Sequence, residues 1–177
     1  MRTFYVKNKR KIAQNKGLIE KKLGVEIGFK GNNIIISGDE LSEYLALRVF
    51  DAVELGFSIN EALLLADENY MFEKISIKDI SRRKNLSEVR ARVIGTFGRT
   101  LKTMCGLSNC EIVLHDNIVG VIGKADDIEF ALTAMKSLIK GSKQANVYSY
   151  LEKSKKLEKG TDEFDIINEG SKKRERK

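Results

Sequence analysis

The sequence predicts an α+β fold made of two tandem copies of one small unit, and three observations carry that prediction. First, the 177-residue chain is similar to itself at an offset of 85 residues. Glu26-Ile27 matches Glu111-Ile112, Asn32 matches Asn117, Gly38 matches Gly123, Ala46-Leu47 matches Ala131-Leu132, and Gly56 matches Gly141. Second, each copy carries short alternating apolar segments followed by one long segment with a helical apolar stripe. Third, the second copy places a pair of glycines, Gly95 and Gly98, between two short helical segments. Two copies are too few for a solenoid, so duplicated domains are the simpler reading.

In the first copy, Thr3 to Val6 reads as a strand. Val25 to Gly28 and Asn33 to Ser37 pair around Gly31-Asn32. Leu41, Tyr44, Leu45, Val49, Ala52 and Val53 make the helical stripe. At the offset of 85, Gly95 to Gly98 falls on Arg10 to Ala13, and no Gly-x-x-Gly occurs in residues 1–60. Too little chain precedes that point for a full strand and helix, so this copy is read as degenerate. Ser58-Ile59-Asn60-Glu61 is a capping box opening a short apolar helix, Ala62 to Ala66, that bridges the copies. In the second copy, Phe72 to Ile77 alternates as a strand, and Asn85 to Val93 suits a helix. Arg99 to Cys105 suits another, with Gly106 as its stop. Cys110 to Leu114 is a strand, Asp116-Asn117 a turn and Ile118 to Ile122 the return strand. Asp126 caps a last helix, with Glu129 three residues on and Ile128, Ala131, Leu132, Met135, Leu138 and Ile139 as its stripe. The expected boundaries are 1–70 for the degenerate copy with its bridging helix, 71–152 for the second copy and 153–177 for a charged, disordered tail.

Charge follows this division. Residues 1–30 hold nine Lys/Arg and two acids, residues 31–81 three and ten, and residues 82–103 seven and one. Positive charge focused on segments is the footprint of a nucleic-acid binder; a Lys-rich surface that only aids solubility is the alternative for the N-terminal segment. The apolar runs are too short to span a bilayer, and the first residues lack a signal-peptide core. Two cysteines, Cys105 and Cys110, with a single histidine, His115, suit a reducing cytosol and fall short of a structural zinc site. His115 has no paired nucleophile, and no Gly-x-x-x-x-Gly-Lys-Ser/Thr motif is present, so no catalytic residue, metal or cofactor is expected.

The basic segment 82–103 encloses Ile94-Gly95-Thr96-Phe97-Gly98-Arg99. Two glycines let the backbone approach a ligand, and the helix that follows turns its free N–H groups and positive dipole end toward it. The order β-α-α-β-β-α, with the glycines between the first two helices, is that of a type I KH domain. The expected fold is therefore two tandem KH domains, each a three-stranded antiparallel sheet with helices on one face, the first degenerate. A KH glycine loop clamps about four nucleotides of single-stranded nucleic acid. Gly95, Thr96, Phe97 and Gly98 would cradle the backbone, Arg99 and Lys102 neutralise phosphates, Arg90 and Arg92 approach from the preceding helix, and Ile94, Ile112 and Leu114 floor a groove for bases. For the last three, ordinary core packing is the competing reading. Phe97 either stacks on a base or packs. Lys9, Arg10, Lys11 and Lys16 could meet phosphates from the first copy.

Over residues 1 to about 152 the chain resembles the archaeal members of the Partner-of-Nob (Dim) family, two-KH-domain factors of small-ribosomal-subunit assembly. The residues that carry the resemblance are Ala52-Val53-Glu54-Leu55-Gly56-Phe57-Ser58 with Ala62-Leu63-Leu64-Leu65, Arg90-Ala91-Arg92-Val93-Ile94-Gly95 leading into Gly98-Arg99-Thr100, and Gly141-Ser142 followed by Val147-Tyr148-Ser149-Tyr150-Leu151-Glu152. It departs from the family pattern at Thr96-Phe97 and at Lys143, where a proline is usual. The resemblance implies binding of the single-stranded 3′ region of small-subunit ribosomal RNA, by a protein whose cysteine usage and lack of catalytic motifs suit a cytoplasmic, non-enzymatic role. It also implies partnership with a Nob-type PIN-domain endonuclease on the pre-small-subunit particle, with no membrane and no small-molecule substrate. Two other readings stay open: a protein-interaction scaffold, and a KH regulator of mRNA or RNA decay.

Overall fold

The computed structural model describes residues 2–5, 9–31 and 33–155. The first unit comprises β1 (Arg2–Tyr5), α1 (Lys9–Gln14), α2 (Lys16–Leu23), β2 (Glu26–Lys30), β3 (Asn33–Ser37) and α3 (Glu40–Leu55). A linking segment follows: α4 (Ile59–Ala62), then a 3₁₀ turn, Leu63–Ala66. The second unit comprises β4 (Tyr70–Ser76), α5 (Ile77–Ile80), α6 (Leu86–Ile94), α7 (Arg99–Ser108), β5 (Glu111–His115), β6 (Ile118–Lys124) and α8 (Ala125–Lys140). A ninth helix, α9, covers 144–155. Each unit has an antiparallel sheet with its third strand in the middle, β1-β3-β2 and β4-β6-β5.

The offset of 85 is kept from the end of α2 onward. Leu23 and Ser108 end equivalent helices, with Gly24 and Asn109 behind them at φ 69° and 52°. β2 and β5, β3 and β6, and the sixteen-residue helices α3 and α8 all start 85 apart. Before that point the second unit has more chain, which it spends on α5, a longer α6 and the glycine loop. This corrects the expectation that the first copy lacks room for its opening strand and helix. β1, α1 and α2 are all present, merely shorter, and the α1–α2 junction is Asn15, not Arg10 to Ala13.

Local chemistry explains most helix ends. Asp39 and Asn85 cap α3 and α6 through their side chains, and Ser58 with Glu61 forms the complete capping box of α4. Four expectations are corrected. Gly106 lies inside α7, which runs on to Asn109 in the left-handed region. Lys124, not Asp126, is the N-cap of α8, and no side chain caps it; Asp126 and Asp127 sit in the first turn, where negative charge suits the helix dipole. Ala62 ends α4, and the rest of the bridging segment is 3₁₀. Leu41 and Tyr44 lie outside the stripe, 65% and 52% exposed; α3 buries Ala46, Val49, Phe50, Ala52, Val53 and Leu55 instead. Residues 156–177 of the expected tail, Val6 of the expected first strand and Asn32 of the expected turn lie outside the described residues.

The second sheet is packed on both faces. Val119 and Val121 of β6 enter the core under α6, α7 and α8, whereas Ile122 belongs to the core of the first unit. Between them Gly120 makes room: a Cβ there would stand 2.3 Å from Leu55 Cδ2 and 2.8 Å from Phe57 Cε2. Phe57 is fully buried and meets Phe72 edge-on at 5.8 Å between ring centroids. Burying such a ring is worth about 2–3 kcal/mol, so this seam holds the units in one arrangement. Lys11 Nζ adds a hydrogen bond to the Phe57 carbonyl at 3.1 Å, and Lys74 pairs with Asp51 across it. Among the described residues no helix is long and apolar enough to cross a membrane, and no group of three or more His, Cys, Asp or Glu side chains is placed to hold a metal.

Candidate nucleic-acid interface

α6 ends at Gly95, whose N–H closes the last turn on the Ala91 carbonyl at 2.8 Å. Gly95 then adopts φ 72°, ψ 173°, a conformation open essentially to glycine alone. A Cβ on it would lie 2.0 Å from Thr100 Oγ1, so even alanine is excluded on two grounds. Phe97 follows at φ 52°, ψ 33°, and Gly98 at φ 72°, ψ 10°. A left-handed phenylalanine costs about 1–2 kcal/mol. It gains nothing back by burial, because its ring is 93% exposed. The loop thus combines a strained backbone with an aromatic ring turned to solvent.

Gly98 is the N-cap of α7 and supplies no side-chain cap, and the first turn of α7 has no acidic residue. Its leading N–H groups and positive dipole end therefore meet the loop without an internal anion. Arg99 and Lys102 stand exposed on that turn, as expected from the sequence, and Thr96 is exposed beside them. Ile94 is 41% exposed at the approach to the loop.

The surroundings of three more expected site residues are as follows. Arg90 is half-buried, its Nη1 donating to Asn117 Oδ1 at 2.7 Å in the β5–β6 turn. Arg92 is directed at the end of α8, with Nη1 3.0 Å from where a Cβ on Gly141 would stand. Ile112 is 4% exposed and packs in the second core, so its side chain cannot floor an open groove. The competing core reading holds for it because β5 turns Ile112 into the second core, where Cys110 just before the strand also packs. Ile112 still faces α7 through its main chain: Cys105 Sγ lies 3.9 Å from its carbonyl oxygen.

Two positioning residues were not visible in the sequence. Thr100 is 3% exposed and fills the space that Gly95 leaves, and Gln144 Nε2 of α9 donates to its Oγ1 at 2.8 Å. The C-terminal helix thus buttresses the loop across 44 residues of chain, a separation that no local pattern signals. Burial disfavours the thiolate form at both cysteines. Burial pushes the Cys105 thiol up, and that of Cys110 to about 12. Burial, then Glu61, also raises the Glu111 carboxyl above its usual range, although it is largely exposed.

Residues 71–156 match the profile of the second KH domain of PNO1, described as a eukaryotic-type, type I KH domain. The chain superposes on the crystal structure of Dim2p from Pyrococcus horikoshii with a TM-score of 0.74 and 32% identity, covering 86% of this chain and 99% of that one. The chain belongs to the Partner-of-Nob (Dim2) family. A second structure of the family from the same organism, a complex of aDim2p with a/eIF2alpha and rRNA, is 31% identical with a TM-score of 0.74, over 88% of this chain and 93% of that one. The RNA-binding protein pno1 of Drosophila melanogaster is 34% identical over 99 residues, 54% of this chain and 41% of that protein. The matched region spans from 41% to 65% of the length of the first curated relatives.

Proposed function

We propose that this chain is an RNA-binding factor of small-ribosomal-subunit assembly that holds single-stranded ribosomal RNA in the Gly95–Gly98 loop. The observation that carries the reading is the loop itself. Three of its four residues have positive φ, its aromatic ring is exposed, and it opens an uncapped helix flanked by Arg99 and Lys102. Two glycines pass the sugar–phosphate chain close to the backbone, α7 supplies N–H groups for a phosphate, and Phe97 offers a stacking face to a base. Ribosomal RNA as the target is supported by the family member crystallised with rRNA and by relatives named for pre-rRNA processing.

The finer reading places the contact near the 3′ end of small-subunit rRNA, on the cytoplasmic pre-small-subunit particle, beside the Nob-type PIN-domain endonuclease that matures that end. The first unit would carry protein contacts: Leu41 and Tyr44 stand exposed on α3, in the acidic part of the chain. The deciding experiment compares binding to a short RNA copying that 3′ end with binding to a scrambled RNA of equal length. Tighter binding to the rRNA copy is expected. Equal binding to both removes the ribosomal target, and binding to neither removes the RNA function in favour of a scaffold.

A further inference from the structure

Arg92 leaves α6 toward the C-terminal end of α8, and a second guanidinium meets it there. Arg83 Nη2 lies 3.7 Å, and Arg92 Nη1 3.0 Å, from the point where a Cβ on Gly141 would stand. Two cationic planes thus border the space that a side chain at 141 would fill. Gly141 closes α8 at φ 111°, its N–H turned back on the Leu138 and Ser137 carbonyls. The negative end of a helix attracts cations, which accounts for one guanidinium in this place. It does not account for the surplus: Lys140 and Lys143 flank Gly141, both exposed.

The acid within reach is Glu88, 3.8 Å from Arg83 Nη1, and its other oxygen is taken by Asn85 Nδ2 at 3.0 Å. Among the described residues Arg92 has no carboxylate partner, although it is half-buried. A guanidinium is a rigid fork that suits two oxygens of one phosphate. The cluster also lies next to the loop, since Gln144, one residue after Lys143, donates to Thr100 on the first turn of α7.

We propose that Arg83, Arg92 and Lys143 form a second phosphate-binding subsite that takes the RNA backbone where it leaves the glycine loop. The inference rests on the loop being an RNA clamp, and it makes the footprint longer than the roughly four nucleotides such a loop holds. The test titrates labelled single-stranded RNAs of four, six, eight and twelve nucleotides, all drawn from the rRNA 3′ end, against the full chain. The same series is run with the double variant Arg83→Ala/Lys143→Ala, at two salt concentrations. Both side chains are exposed, and thermal melting checks that the variant is folded. The parent should bind more tightly as the RNA grows beyond four nucleotides. In the variant that gain should flatten, leaving a deficit of about tenfold at twelve nucleotides and a salt slope smaller by about 1.4, or 0.7 per lost contact. An undiminished gain with length in the variant overturns the subsite, as does an equal loss at every length, which is the mark of a diffuse field. A parent that binds no RNA of any length overturns the clamp itself, and the subsite with it.

Discussion

Asn15 joins α1 to α2 as a single residue, whereas four residues, Gly95 to Gly98, join α6 to α7. Asn15 is closed on its own chain. Its Nδ2 donates to the Lys11 carbonyl at 2.9 Å, its N–H to the Ile12 carbonyl at 3.1 Å, and its carbonyl accepts from the Ile19 N–H at 3.1 Å. The second contrast lies at the sheet edge. Glu20 and Cys105 are 85 apart, as are Ile27 and Ile112. In the first unit Glu20 Oε1 accepts the Ile27 N–H at 2.7 Å, with Lys16 Nζ 3.6 Å away. In the second a small thiol stands in that place. The basic side chains differ likewise: Lys9 bonds the Gly31 carbonyl and Lys11 the Phe57 carbonyl, whereas Arg99 and Lys102 stand free on the surface. One skeleton therefore carries two surfaces. In the first a carboxylate and closed hydrogen bonds occupy the junction; in the second a glycine loop, an exposed aromatic ring and two surface cations take their place.

The most direct way to break this contrast is Gly98→Asp. A Cβ at 98 meets nothing within 4 Å, and aspartate tolerates the left-handed region, so the fold should survive with a modest drop in melting temperature. A carboxylate at the clamp should cost RNA affinity roughly 100-fold. Fluorescence anisotropy with unchanged affinity would remove the loop from the site. Next in size, Phe97→Ala should weaken binding about tenfold, the worth of one base stacked on an aromatic ring. It should leave thermal stability unchanged, because the ring is 93% exposed. The complementary change in the first unit, Arg10→Ala with Lys16→Ala, should alter RNA affinity by less than about twofold, since surface charges away from the contact act only through a screened field; a larger loss would show that both grooves bind. The smallest effect concerns the joint between the units. Glu111 has a raised carboxyl in the folded state, through burial and Glu61, so folding favours its protonated form. The stability this provides is present below the ordinary glutamate range and is lost as pH rises through the raised value. Glu111→Gln should therefore raise the melting temperature slightly at neutral pH and lose that advantage in acid, as thermal scans across pH would show.

Much of the skeleton was legible because it repeats. From Leu23 and Ser108 onward the offset of 85 carried strands, turns and the long helices together, and Gly56 and Gly141 end α3 and α8 at φ 120° and 111°. The opening halves do not follow the repeat because the second unit has more chain there, so one offset cannot align both. The stripe of α3 named the right side of the helix but not its extent: Leu41 and Tyr44 continue the period beyond the partner that covers it. The glycine loop was legible as four letters, yet its shape depends on Thr100 and Gln144, which only folding brings together. The seam between the units did leave a trace. Ile118-Val119-Gly120-Val121-Ile122 is apolar without alternation, the pattern of a strand covered on both faces.

That covered strand has a consequence for measurement at larger scale. With Leu55 and Phe57 lodged against Gly120, the surface of α3 and the glycine loop are two marks on one rigid rule. On the proposed function, any body seated on α3 would stand at a constant span from a nucleotide stacked on Phe97, and shortening either unit would change that span rather than loosen it.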